Sequence, residues 1–364
     1  MQFESRLCGF FAPVLFFRIP PPGLRMFALA MSFFSIFFWM LTSLTLVLCA
    51  PVVVAAPIAA STESPAFVIY TNSFISADVL PPVADLQGYN VVVLSFLLLN
   101  GPFDQAAAWA ALSLSQRAST KSDYANADIR IIVSAFGSTE EPTTSGVDPV
   151  RTANNMAQFV LENSLDGIDV DYEVINRYIL SFLQLICTSG LEAMNKGDGA
   201  AEAWLVSFTR ALREQLPQGQ FILTHAPVAP WFSTNSLYTK SGAYRTVHKE
   251  AGNLIDWYNI QFYNQGANEY TDCDSLLTAS GGNFPESSIF EIATAGIPLN
   301  KLVIGKLGAA ANGTTGFMHP QTLGVCVAQA EAQTWNAGIM AFEYPEADAS
   351  WIKAARGSSF PQFS

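Results

Sequence analysis

Residues 166–173 read Asp-Gly-Ile-Asp-Val-Asp-Tyr-Glu. Asp169, Asp171 and Glu173 fall at every second position of this run. In a β-strand that spacing puts all three carboxyls on one face. Like charges held so close repel one another, so a purely structural strand has no use for them. A site that must keep one carboxylic acid protonated near neutral pH does. The competing reading is a solvated acidic strand end. Asp166 has the opposite parity to the other three and is read as fixing the entrance of the strand.

Outward from this run, short β-branched or aromatic segments recur at 67–71, 90–97, 129–135, 167–171, 221–225, 257–263, 302–306 and 338–342. Amphipathic stretches lie between them, and 149–163, 202–216 and 321–336 predict helices. Pro217 stops the second of these. Eight strands with intervening helices predict one closed (β/α)8 TIM barrel over residues 65–364, its Val- and Ile-rich strands buried on both faces. No linker or second domain is visible. Catalytic groups of such barrels sit at the carboxyl ends of the strands. There Glu173 is joined by Thr224-His225-Ala226-Pro227, Gln261-Phe262-Tyr263-Asn264 and Phe342-Glu343-Tyr344. By parity Asn259, Gln261 and Tyr263 share the inward face. About 30 residues separate the last two strands, which leaves little room for an inserted domain and predicts an open cleft.

The chain has 364 residues, a formal net charge of −12 and 13% charged residues. That balance argues against a nucleic-acid partner, which needs a basic surface. Residues 26–60 are almost wholly apolar, follow a short positive flank at 18–25, and end in small residues and prolines. The pattern predicts a secretory signal cleaved between Ala50 and Ala60, with an uncleaved signal anchor as the alternative. Residues 1–25 are unusual for a signal and point to translation starting at Met26 or Met31. The sequence has five cysteines. Cys8 and Cys49 leave with the signal, and Cys187, Cys273 and Cys326 remain, an odd number for a secreted chain. Asn312-Gly313-Thr314 is a glycosylation sequon. Three scattered histidines and no paired-cysteine motif give no reason to expect a metal. His225 is read as a core histidine.

The acidic run resembles the signature of glycoside hydrolase family 18, which contains chitinases and endo-β-N-acetylglucosaminidases. It matches at all four acidic positions. Ser134-Ala135-Phe136-Gly137 resembles the family's S-x-G-G element, with Phe136 in place of the first glycine. The sixth strand, IQFYN, resembles short chitinases of the plant and fungal type, and the likeness covers residues 67–351. It implies substrate-assisted cleavage of chitin or N-acetylglucosamine oligosaccharides. Glu173 is then the general acid, Asp171 orients the 2-acetamido group, Asp169 shares a proton with Asp171, and Tyr263 donates to the acetamido oxygen. The family's tryptophan floor at the end of the eighth strand is replaced by Phe342. Gln261 and Asn264 are candidates for substrate binding, as are Tyr70, Phe96 and Trp231 if their rings stack on sugars rather than in the core. The expectation is a secreted, monomeric endo-chitinase needing no cofactor. An N-glycan-releasing enzyme and a non-catalytic chitin-binding lectin on the same barrel are the alternatives, and retention of Glu173 favours an enzyme.

One segment fits none of this. Residues 174–190 (VINRYILSFLQLICTSG) are apolar, nearly chargeless and directly follow Glu173. They would place an apolar run on the rim of a sugar cleft. We read them as a translated in-frame intron, against the alternative of a genuine insertion lining the groove. Their removal takes Cys187 with it and leaves Cys273 and Cys326 to pair.

Overall fold

A run such as Val91-Val92-Val93-Leu94 offers no polar face to water, so the strand it forms must be covered on both sides. A parallel sheet wrapped in helices does this. The computed structural model describes residues 65–72, 80–173, 193–235 and 240–360. The apolar leader and the segment 174–190 lie outside the described residues.

Eight strands run in chain order: β1 (Ala66–Thr71), β2 (Val91–Leu98), β3 (Arg130–Phe136), β4 (Gly167–Asp171), β5 (Ile222–His225), β6 (Trp257–Gln261), β7 (Leu302–Leu307) and β8 (Gly338–Phe342). Each pairs in parallel with the next, and β8 pairs in parallel with β1, closing the barrel. The seam is tight. Gly338 has φ +111°, and a Cβ there would lie 2.0 Å from the Ala66 carbonyl oxygen, so only glycine closes the ring at this point. The two-residue strand Gly101–Pro102 folds back antiparallel on the end of β2.

Val68, Val92, Ile132, Ile168, Val170 and Ile304 have no solvent-exposed surface. The helices around the barrel start where local chemistry dictates. Pro149 opens the helix Pro149–Glu162, where its missing N–H costs nothing, and Asp148 caps it by accepting from the Arg151 N–H at 2.7 Å. The helix Ala200–Gln215 ends just before Pro217. Two C-terminal ends differ from the sequence expectation by two residues or more. The helix Pro320–Glu331 stops well short of residue 336, because the chain turns at Thr334 (φ +70°) and the Trp335 N–H bonds back to the Ala330 carbonyl at 3.2 Å. Strand β6 ends at Gln261 rather than 263 because Asn264 takes a left-handed conformation (φ +65°) and leads the chain away.

Cys273 opens the short helix Cys273–Leu277, and its disulfide to Cys326 ties that helix to Pro320–Glu331. The closed loop spans 53 residues. A cross-link over a loop of that length stabilises by about 2–4 kcal/mol. The double variant Cys273→Ser/Cys326→Ser is therefore expected to melt several degrees lower in a calorimetric scan, and an unchanged Tm would show that the bond contributes nothing.

Candidate active site

Strand β4 puts Ile168 and Val170 toward the helices, which leaves Asp169 and Asp171 facing the barrel axis. Asp169 is completely buried. Such a carboxylate survives only if its oxygens are satisfied. Four donors from four other strands satisfy them. Tyr70 Oη of β1 (2.7 Å) and Ser134 Oγ of β3 (2.8 Å) donate to Oδ2. Thr224 Oγ1 of β5 (2.5 Å) and Asn259 Nδ2 of β6 (3.2 Å) donate to Oδ1. Ser134, Asp169 and Thr224 are register partners, so these contacts follow from strand pairing itself. Burial still leaves the Asp169 pKa raised, with the four hydrogen bonds opposing that rise.

Asp171 lies one layer nearer the mouth. Its Oδ1 accepts from Gln261 Nε2 at 2.9 Å, and the same amide reaches the Ala226 carbonyl at 2.8 Å. Burial first, then the charges of Glu173 and Asp169, hold Asp171 protonated well above the usual carboxylate range. Glu173 keeps part of its surface open to solvent. Its pKa is raised by burial and drawn back by hydrogen bonds from Gln261 and Asp171. A hydrogen bond between the two acids raises Asp171 and lowers Glu173, and carboxyls this close influence each other's titration.

Tyr263 is buried, and its hydroxyl is held protonated by burial and by the charges of Glu173, Asp171, Asp169 and Glu343. Its ring stacks on Phe342 (6.3 Å between centroids, 26° between planes), and Phe342 also meets Tyr70 at 6.0 Å. Phe342 is half-buried at the end of β8. Phe96 is also half-buried, its ring lying over Gly137 at the end of β3. The Gly137 N–H donates to the Asp171 carbonyl at 2.9 Å, which ties this turn to the end of β4.

Phe136, which stands where the resemblance puts a glycine, has φ +78°. A left-handed conformation costs a side-chain-bearing residue about 1–2 kcal/mol. Burying its ring against Trp204 (5.8 Å) and Phe208 (5.3 Å) offsets that, at about 1.5–3 kcal/mol for a side chain of this size.

Three of the substrate-binding expectations are corrected. Tyr70 is 2% exposed and spends its hydroxyl on Asp169, so it supports that acid and presents no ring face to a sugar. Trp231 is 1% exposed, stacked on Tyr244 (5.7 Å, 7°) with Tyr172 against it, and belongs to the layer between barrel and helices. Asn264 commits its side-chain oxygen to the neighbouring loop, Oδ1 accepting from the Thr314 N–H (2.7 Å) and Oγ1 (3.1 Å). Asp166 accepts from the Ile131 N–H at 2.9 Å and pairs with Lys121 at 2.8 Å, at the opposite end of β4. His225 is fully buried between Thr209 and Tyr244 (3.1 Å each), and burial lowers its pKa to about 3, so it stays neutral.

Two groups beside the site had drawn no role. Glu343 follows Phe342 directly. Asn72 donates to the Glu343 carboxyl from both backbone and side chain, Oε2 of Glu343 has no partner among the described residues, and burial raises its pKa to about 7. The other is Lys306, a lone charge inside the Val/Ile pattern of β7. Charge inside an apolar strand was the available signal.

A family model described as glycosyl hydrolases family 18 matches residues 66–358. Among solved structures, a family 18 chitinase from Pseudoalteromonas aurantia shares 23% identity over 80% of this chain and 99% of its own, with TM-score 0.62. A chitinase from Aspergillus fumigatus shares 19% over 77% and 92% (TM-score 0.55). A fungal endo-β-N-acetylglucosaminidase of family 18 shares 15% over 80% and 96% (TM-score 0.54). No curated protein sequence matches the chain. At these identities the structures speak for the fold alone. The family model spans the whole barrel, with the aligned acids of β4 on its axis, and by that match the chain belongs to glycosyl hydrolases family 18, with a chitinase-like fold.

Proposed function

We propose that the chain is a secreted, retaining glycosidase that cleaves β-1,4-linked N-acetylglucosamine in chitin, using the substrate's own acetamido group as nucleophile. The observation that carries this reading is the column of three inward carboxyls. The innermost is fully satisfied by four donors, and the outer two lie at the mouth, each with its pKa raised by burial.

The chemistry follows from that column. The leaving oxygen needs a proton and the anomeric carbon a nucleophile. Glu173, outermost, is the acid. The acetamido oxygen attacks the anomeric carbon, and positive charge develops on the resulting oxazolinium ring. That charge favours an ionised Asp171, so its proton moves onto Glu173 as it is needed there. Asp171 then faces the ring nitrogen as a carboxylate. Asp169 cannot move, because its donors come from four strands, and its charge acts as a fixed background. The Tyr263 hydroxyl donates to the acetamido oxygen, and Phe342 supplies an apolar floor. Glu173, now ionised, takes a proton from the water that opens the oxazolinium, which restores the β-anomer. The apolar leader and the Cys273–Cys326 disulfide support an oxidising, extracellular setting.

Incubation with N-acetylglucosamine oligomers and, separately, with a high-mannose glycopeptide tests this reading. Internal cleavage of the oligomers, with β-anomeric products seen by NMR and an intact glycopeptide, is expected. Release of the glycan would make the chain an endo-β-N-acetylglucosaminidase. Binding to chitin without cleavage would make it a lectin.

A further inference from the structure

Lys306 is a buried cation that the mechanism leaves unused. It lies in β7 with no exposed surface. Its ammonium has three protons, and each meets a main-chain oxygen: Phe262 at 2.9 Å, Tyr270 at 2.7 Å and Gly316 at 2.9 Å. Burial lowers its pKa to about 7, with no neighbouring acid opposing the shift. An apolar side chain of the same length would fill this space without desolvating a charge. What the charge does is gather three separate segments onto one point.

Two of them border Tyr263, and the third, Tyr270, packs its ring on Phe262 at 5.0 Å. Phe262 is the chain neighbour of Tyr263, and its N–H is the last to bond into β7, at the Gly305 carbonyl (3.1 Å). Beyond it, Tyr263 has left strand β6. Gly316 packs directly on Tyr263. It has φ +84°, and a Cβ there would fall 2.7 Å from the Tyr263 Cα. Asn264 is fastened to the same loop, its N–H donating to the Thr315 carbonyl (3.0 Å) and its Oδ1 accepting from Thr314. Tyr270 begins the segment that leads to the disulfide at Cys273. The backbone of Tyr263 is therefore held by residues 314–316, and Lys306 holds that loop to the end of β6.

We propose that Lys306 is a positioning residue for glycoside cleavage. By drawing the carbonyls of Phe262, Tyr270 and Gly316 together, its ammonium fixes where the Tyr263 hydroxyl meets the acetamido oxygen. This rests on the role given to Tyr263 above.

A double-mutant cycle on N-acetylglucosamine oligomers tests it, with rates normalised to folded protein by circular dichroism. Lys306→Met removes the charge and keeps the length. It is expected to lower kcat about tenfold and change KM less than about twofold, the scale of weakening one ordinary hydrogen bond in the transition state. Tyr263→Phe alone should lose about as much. The double variant should be less than about twofold worse than either, because both changes remove the same hydrogen bond. Losses that multiply would overturn the inference and leave the role of Tyr263 standing. Wild-type turnover in Tyr263→Phe would remove both. Gly316→Ala displaces Tyr263 from the same side and must show the same non-additivity with Tyr263→Phe. Should Lys306→Met fail to fold, that second cycle decides the matter.

Discussion

A Glu173→Gln protein is expected to bind N-acetylglucosamine oligomers while cleaving them at least about 10²-fold more slowly. The amide keeps the shape of the acid and its hydrogen bond to Gln261. It cannot deliver a proton to the leaving oxygen or take one from water. Loss of the acid also removes the charge that holds Asp171 protonated, so the remaining carboxyl should titrate at lower pH than in the wild type. Single-turnover rates and oligomer binding by calorimetry, measured on the same preparation, check both halves of the expectation. Turnover near wild type would mean that another group is the acid.

The second large effect is expected at Asp171. An Asp171→Asn protein should lose about 10²–10³ in kcat, the scale of removing one preorganised electrostatic partner of a charged intermediate. A neutral amide stabilises an oxazolinium far less than a carboxylate does. The substrate offers an independent check of the same point. Cellulose oligomers lack the 2-acetamido group and should not be cleaved by the wild-type protein. Their efficient hydrolysis would require a nucleophile from the protein, and the substrate-assisted reading would fall.

The strands were legible because a buried parallel sheet needs Val and Ile on both faces, and 167–171 and 338–342 match their strands to the residue. The three acids were legible because alternate spacing puts like charges on one face of a strand, which a proton-holding site uses and a structural strand does not. What surrounds them was less so. Ser134 and Thr224 look like ordinary strand residues until pairing sets them on either side of Asp169. Tyr70 and Trp231 were misplaced for one reason: an aromatic ring suits a sugar or a core equally well, and sequence does not say which way it points. Trp231 went to the core because Tyr244 and Tyr172 leave it no open face. Asn264 was misjudged because a left-handed turn reverses side-chain direction, and strand parity does not carry past the end of a strand. Lys306 and Glu343 are single charges without a repeating pattern, and their meaning depends on backbone carbonyls and an asparagine that only the fold brings near.

The four donors of Asp169 also bear on how the chain reaches its native register. They lie 35 to 99 residues away along the sequence, on both sides of β4. A slip of β4 by one residue would turn Asp169 and Asp171 into the apolar layer beneath the helices and bring Ile168 and Val170 to the polar axis. Two carboxylates would then be desolvated with no donors, at a cost of several kcal/mol each. A partly assembled barrel faces a milder form of the same penalty, because Tyr70 and Asn259 reach Asp169 only from across the ring. The residues that suit the site to sugar chemistry therefore also select against misthreaded barrels. Folding should be slow and late-closing, with contacts this distant in sequence forming near the end.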